Sequence, residues 1–438
     1  MKSKALLIAL FLFASFLKAQ TGISIANFSG VDNLINNFLT TWNIDGAGVA
    51  ITKNGKLIYN RGFGFSDQSN SEIAKPYNLY RIASVSKPIT SIAIMKLIQN
   101  GSLSITDTVF GANKILNQPY YLGAISDTRI YSITIQNLLE HTAGWDRTIP
   151  CDGYSNCDPL FFPLHVASVE GESNPVGDST LIKFLLQKGL NYNPGITYAY
   201  SNVGYLILGK VIEKITGIKY ENYIENNIFT PLSICDIHLG KNLLTNKQER
   251  EAEYNNAYTT LSCYGDATTV PWQYGGFNIE AMNAHGGWIA TSSDLTKLII
   301  SVDGYTTFPD ILTPATINLM STPSSTYSYY AKGWSVNPSN NWWHFGSLDG
   351  TSSFICRTSG GYTWAFLFNS RSDNSNAFWN AFDQLPWDCL NTISSIPAID
   401  LYPPTVNLLN LSANVLAPTS INLTWTNGNG NGRIILAT

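Results

Sequence analysis

Strand-like segments sit at both ends of the main part of this chain, with helical segments between them. That arrangement constrains the fold more than any other feature. Residues 46–53 and 56–65 read as two strands joined by Asn54-Gly55, a pair favoured in two-residue hairpin turns. Residues 342–345, 353–358 and 362–369 read as late strands, with a helix near 374–392 after them. Between these groups a helix is expected over 84–99, where Val85, Ile89, Ile92, Met95 and Ile98 or Leu97 recur at helical spacing. Pro88 falls in its first turn, where a missing N–H does least harm, and Gly101 ends it. A second helix is expected over 201–216, closed by Gly217, and a third near Ser292-Ser293-Asp294, good capping residues. A sheet closed by such distant segments implies an α+β fold.

The N-terminus bears on compartment. Lys2 and Lys4 precede an apolar run from Ala5 to Leu17, too short to span a bilayer but suited to a signal peptide cleaved after Ala19. The expected product is exported, to a periplasm or beyond, without a stable membrane span. Loss of Lys2, Lys4 and Lys18 leaves 23 basic residues against 30 acidic ones, a net charge of −7 with His neutral. No basic block offsets this, which argues against a nucleic-acid partner. Six cysteines allow 15 pairings. Cys151 and Cys157, which bracket a short polar loop, are the preferred disulfide. There is no CxxC, no HExxH and no dense His cluster, so neither a metal site nor any other cofactor is implied.

The texture changes near 396–405, where Ile396-Pro397 and Tyr402-Pro403-Pro404 suggest a linker. Beyond it, 420–425 alternates as a strand, 427–432 is a turn rich in Asn and Gly, and 433–437 reads as a second strand. The segment 406–438 resembles the opening of a fibronectin type III module with Trp425 as its core tryptophan. About 35 residues cannot complete a seven-strand sandwich, so a partial module is expected.

Acyl transfer by a serine needs a nucleophile, an adjacent base, a proton relay and an oxyanion hole. Ser84-Val85-Ser86-Lys87 supplies the first two, because residues i and i+3 share a helix face. The positive end of the helix dipole, and burial, both favour a neutral amine at Lys87. Ser86 is a competing hydroxyl on another face.

Asn54-Gly55-Lys56 through Arg61-Gly62-Phe63-Gly64, then Tyr80-Arg81-Ile82-Ala83-Ser84-Val85-Ser86-Lys87, resemble the superfamily of serine β-lactamases, penicillin-binding proteins, D-alanyl-D-alanine peptidases and related esterases. The likeness covers roughly residues 30–390, within an expected hydrolase domain of 25–395. It implies an antiparallel sheet flanked by helices, with an all-helical subdomain. The family's Tyr-x-Asn element has four matches, at Tyr154, Tyr200, Tyr220 and Tyr254. Tyr200 is preferred as the proton relay and Asn202 as a substrate contact, because Asn193-Pro194-Gly195 precedes them and a helix follows. Tyr154 is the rival. The family's late His-x-Gly element matches His344-Phe345-Gly346, with His285-Gly286-Gly287 as the other candidate. His344 and Gly346 are taken as substrate-binding. By analogy the backbone N–H groups of Ser84 and Ser347 form the oxyanion hole. Leu138 to Gly144 and Lys332-Gly333-Trp334 also fit the family, with His141 bracing a turn.

The resemblance implies a covalent acyl-enzyme formed on an amide, lactam or ester of a small molecule or peptide with a reactive carbonyl. It leaves open whether Lys87 or Tyr200 is the general base. The His-x-Gly form leans toward peptidases and esterases, since a neutral His attracts a substrate carboxylate less than a Lys would. The other reading is an inactive relative that binds cell-wall fragments or a protein partner.

Overall fold

The computed structural model describes residues 19–372 and 375–402, together with the backbone of two strands at 409–417 and 420–426. Among the described residues, a seven-stranded antiparallel sheet is built from both ends of the domain. Its strands are β1 (Gln20–Gly22), β2 (Gly46–Lys53), β3 (Lys56–Gly64), β4 (Ser335–Val336), β5 (Trp342–Leu348), β6 (Thr351–Arg357) and β7 (Tyr362–Phe368). Their spatial order is β1-β3-β2-β7-β6-β5-β4, so β2 closes on β7 across the length of the domain. The β2–β3 turn has positive φ at Asn54 (49°) and Gly55 (76°), as a type I′ hairpin requires.

Strand periodicity decides which layer each side chain enters. Phe354, Phe366 and Phe368 turn to one face, while Ile355, Ala365 and Leu367 turn to the other. The first face is covered by α1 (Ser29–Thr41) and the late helix Asn376–Asn391. There Phe38 lies 5.5 Å from Phe368 and 5.8 Å from Phe382, ring centre to ring centre. The second face meets the helix Ser292–Ile300 and the helical region. That region has α2 (Ser86–Gln99) at its centre, with α3 (Asn202–Thr216) and the helices Ile135–Leu139, Asp178–Lys188 and Ile279–Gly286 around it. Nearly every side chain from Ser86 to Leu97 is buried, so α2 is enclosed on all sides.

The expected helices are present with small shifts at their ends. The strand expected from 353 begins at Thr351, and the one expected over 342–345 runs on to Leu348. The helix expected to cap at Ser292-Ser293-Asp294 is capped instead by Thr291, whose hydroxyl accepts from the Asp294 N–H at 3.2 Å. The disulfide Cys151–Cys157 is formed, whereas Cys235, Cys263, Cys356 and Cys389 are free thiols.

The described part of the expected linker is docked on the domain. The Leu401 N–H donates to the Leu57 carbonyl at 2.8 Å, and Tyr402 and Thr296 share a hydrogen bond of 2.9 Å. At the C-terminus, Ser420–Thr426 pairs with Leu409–Ala417, a strand the sequence did not signal. The strand expected at 433–437 and the Trp425 side chain lie outside the described residues, as do residues 1–18 of the expected signal peptide. No helix among the described residues is long and apolar enough to cross a membrane.

Candidate active site

The loop before α2 positions Ser84, the candidate nucleophile. Ala83 holds φ at +47°, a left-handed conformation uncommon outside glycine, at the start of the short 3-10 turn Ala83–Val85. Ser84 in that turn is partly exposed, while Lys87, one turn further on, is fully buried. Ser86 is excluded as a rival: its side chain is wholly buried and its hydroxyl accepts from the Trp288 N–H at 3.3 Å.

The partners of Lys87 define its chemistry. Its Nζ lies 2.8 Å from Asn202 Oδ1, 3.0 Å from the His285 carbonyl and 3.1 Å from Ser84 Oγ. Burial pushes its pKa well below the usual lysine value, and the Arg147 charge pushes the same way against Asp158. A neutral amine has two N–H groups and one lone pair. The two carbonyl oxygens can only accept, so they take both N–H groups. The lone pair is then left for the Ser84 hydroxyl, as a general base requires.

Asn202 begins α3 and Tyr200 stands two residues before it, across the N-cap Ser201, whose hydroxyl accepts from the Gly204 N–H at 3.2 Å. The Tyr200 hydroxyl is hydrogen-bonded to Ser84, and its ring centre lies 4.8 Å from Lys87 Nζ. Burial pushes the Tyr200 pKa up to about 12, opposed by the hydrogen bond to Ser84. His141 braces this segment: its Nδ1 accepts from the Ser201 N–H at 3.2 Å. The other Tyr-x-Asn matches are occupied elsewhere. Tyr154 stacks on Phe162 at 4.1 Å, Tyr220 bonds Thr90 and Trp288, and Tyr254 bonds Glu251 and the Arg81 N–H.

His344 and Gly346 arrive on β5. Beyond Trp343 the outer edge of β5 is no longer paired by β4, and it runs along the Ser84 turn. Gly346 permits this approach, since a Cβ there would lie 2.2 Å from the Ile82 carbonyl oxygen. Ser347 follows on the cleft wall. The hydrogen bonds around His344 fix its tautomer. Nδ1 donates to the Phe345 carbonyl at 2.6 Å, which leaves Nε2 to accept from the Tyr330 hydroxyl at 3.3 Å. Tyr330 in turn accepts from His141 Nε2 at 3.1 Å. Burial, then the nearby Lys87, hold the His344 pKa down at about 3, so the ring is neutral. The buried Lys332–Glu140 pair, 2.7 Å apart, ties the segment bearing Tyr330 to the one bearing His141.

Ser84, Lys87, Tyr200, Asn202, His344, Gly346 and Ser347 are thus brought together in one region. The cleft lined by Ser84, Tyr200, Asn202, His344 and Ser347 holds about 450 Å³, and Phe161, Tyr198, Phe345 and Trp379 contribute aromatic wall. Four participants were not foreseen in these roles. Tyr330 bridges the two histidines, and His285 supplies the carbonyl for Lys87 as well as lining the cleft. Asp158 accepts from Asn202 Nδ2 at 2.7 Å, and Arg147 pairs with Asp158 at 3.5 Å. The one available signal for the last two was their position at either side of the Cys151–Cys157 loop.

The beta-lactamase family model matches residues 31–384. The chain belongs to this family. It is 28% identical to protein flp of Staphylococcus aureus (strain COL) over 331 residues, covering 74% of this chain and 59% of that protein. The chain thus spans less than two thirds of the curated relatives' length. Among solved structures, a D-amino acid amidase from Ochrobactrum anthropi SV3 matches with a TM-score of 0.62 at 19% identity, over 83% of this chain and 97% of that one. An octameric penicillin-binding protein homologue from Pyrococcus abyssi matches with a TM-score of 0.60 at 24% identity, over 81% and 77%. At these identities the two structures speak for the fold. With the family match they establish the β-lactamase/transpeptidase-like architecture.

Proposed function

We propose that the protein is an exported serine hydrolase that works through an acyl-enzyme at Ser84. The observation that carries the reading is the buried Lys87 amine, 3.1 Å from Ser84 Oγ with its two N–H groups taken by carbonyl oxygens. Lys87 takes the Ser84 proton as Oγ bonds to the substrate carbonyl carbon. The tetrahedral oxyanion meets the backbone N–H groups of Ser84 and Ser347. The proton on Lys87 passes through Tyr200 to the departing nitrogen or oxygen as its bond to the carbonyl carbon breaks, which leaves an ester on Ser84 and a neutral Lys87. Water then adds to that ester and regenerates the serine. Lys87 is the better base, because burial lowers its pKa toward neutrality and raises that of Tyr200 away from it.

The substrate class we infer is an amide or ester rather than a carboxylate-bearing lactam. Both His344 nitrogens are engaged within the protein, and the Arg147 guanidinium is already countered by Asp158. The amidase among the structural neighbours points the same way. The inactive-relative reading is not favoured, since mere binding has no use for a buried amine beside a partly exposed hydroxyl.

The test is intact mass after a fluorophosphonate or a penicillin, with peptide mapping of the adduct. A single adduct on Ser84, lost in Ser84→Ala, is expected; undiminished labelling of that variant refutes the assignment. Turnover of D-phenylalanine amide or p-nitrophenyl esters above nitrocefin supports the substrate class, and the reverse order overturns it.

A further inference from the structure

Behind the catalytic residues lies a second layer that comes from one loop. The disulfide Cys151–Cys157 closes a short segment, with Arg147 before it and Asp158 directly after it. The Cys157 N–H donates to the Arg147 carbonyl at 2.7 Å, so the two flanks are tied together at the backbone as well. Arg147 is about one-third exposed on the cleft wall, and its guanidinium carbon lies 4.9 Å from the Tyr200 ring centre. Asp158 is fully enclosed. It accepts from Asn202 Nδ2 at 2.7 Å and meets Arg147 at 3.5 Å.

An amide side chain can point either way, and only one orientation suits the base. With Oδ1 toward Lys87, Asn202 takes an N–H from the amine and leaves the lone pair free. With Nδ2 toward Lys87, the amide would donate to that lone pair and quench it. An ionised carboxylate accepts and never donates, so Asp158 admits only the first orientation. Burial pushes the Asp158 pKa up, and the Arg147 charge pushes it back down, so the countercharge favours the ionised form.

We propose that the disulfide-closed loop is a positioning device of the catalytic centre, in which Asp158 fixes the amide of Asn202 so that Lys87 keeps its lone pair for Ser84, and Arg147 keeps Asp158 ionised. Neither residue touches the reacting atoms. The proposal rests on the serine-hydrolase reading above.

The charges give it a signature that a merely structural role lacks. The groups facing Lys87 are Arg147, Asp158, His141, His285, His344, Tyr200 and Tyr205. The three histidines have depressed pKa values and the two tyrosines raised ones, so all five are neutral near pH 7. Arg147 and Asp158 are the pair whose charges act on Lys87, in opposite senses.

The experiment measures kcat and KM of the full chain for p-nitrophenyl acetate across pH, in the parent protein and in Asp158→Asn, Arg147→Met and Arg147→Lys. Asp158→Asn should lower kcat about ten- to a hundredfold, with KM little changed. Its acid limb, where Lys87 loses its proton, should move to lower pH by roughly one unit. Arg147→Met should lower kcat as Asp158→Asn does, because Asp158 without its countercharge takes up a proton, but should displace the limb less, since Lys87 then loses both opposing charges; Arg147→Lys should bring kcat back toward the parent value. A limb in Asp158→Asn that coincides with the parent's, or a kcat within threefold of the parent's in both charge-removing variants, overturns the proposal. If Asp158→Asn does not fold, the contrast between the two Arg147 variants decides. Full turnover by Ser84→Ala would refute the hydrolase reading itself, whereas an active parent with unmoved limbs refutes only the positioning role.

Discussion

Gly346→Ala tests whether β5 must lie hard against the nucleophile turn. The added Cβ would sit 2.2 Å from the Ile82 carbonyl oxygen and 2.2 Å from Ser353 Oγ, against a least tolerable approach of 3.0 Å, so 3.0 − 2.2 leaves 0.8 Å to be found. Ile82 cannot easily give way. Its oxygen accepts from Ser353 Oγ at 2.8 Å and from the Val85 N–H at 3.1 Å, and its N–H donates to the Trp288 carbonyl at 3.0 Å. The strand must therefore retreat, and Ser347 retreats with it. A misplacement of about 1 Å costs about a hundredfold in rate, and loss of one oxyanion donor costs about a hundred- to a thousandfold. We expect kcat for a p-nitrophenyl ester to fall by about a hundredfold with KM within a fewfold, alongside about 1–3 kcal/mol of overpacking strain. The double variant Gly346→Ala/Ser353→Ala removes one clash and leaves the one with the backbone, so it should stay impaired. Acylation within threefold of the parent in folded Gly346→Ala would refute the argument that this contact sets the oxyanion geometry.

Three further outcomes follow from the same geometry. Tyr330→Phe strips Nε2 of both His141 and His344 of its partner; stability should drop by about 1–3 kcal/mol, and nitrogen NMR should show His344 still protonated at Nδ1, held by the Phe345 carbonyl, with its Nε2 resonance shifted. Reducing Cys151–Cys157, whose ends are six residues apart, should cost about 2 kcal/mol by loop entropy and lower kcat more than it raises KM; unchanged kcat after complete reduction would detach the loop from catalysis. His344 is neutral in the fold down to about pH 3, so the unfolded chain binds the extra proton first as pH falls below about 6.5. That histidine's stabilisation is present above 6.5 and lost on acidification, by on the order of 2–3 kcal/mol at pH 4.5. Subtracting the urea-unfolding pH profile of His344→Asn from the parent profile isolates it, and a flat difference between pH 7 and 4.5 would contradict the assignment of a buried neutral ring.

What the sequence disclosed and what it withheld divide along a physical line. Helices α2 and α3, the β2–β3 hairpin and the late strands were legible because burial imposes a period on the residues of a single segment. Ser84, Lys87, Tyr200, Asn202 and His344 could be singled out as candidates because the proposed attack, proton transfer and relay each demand a particular side chain, and their order along the chain resembled a known family. The histidine at 285 was weighed only as a rival motif, yet its contribution to Lys87 is a carbonyl oxygen, which every residue carries. Tyr330 stands two residues before the recognised Lys332-Gly333-Trp334 but acts on two rings, at positions 141 and 344. Asp158 and Arg147 act on Asn202 and on each other. Each missed residue works on another side chain rather than on a substrate, and its requirement is only a charge, a donor or an acceptor at one point in space. Such a requirement has no period and no fixed spacing, so any loop that reaches the point can meet it. A close relative could therefore keep the same chemistry with a different pair behind its asparagine, provided that pair still presents an acceptor to Nδ2 and a countercharge to that acceptor. A neutral amide at 158 does not meet that condition, because it can turn a donor as readily as an acceptor toward Asn202, so Asp158→Asn should lower kcat as well as shift the acid limb.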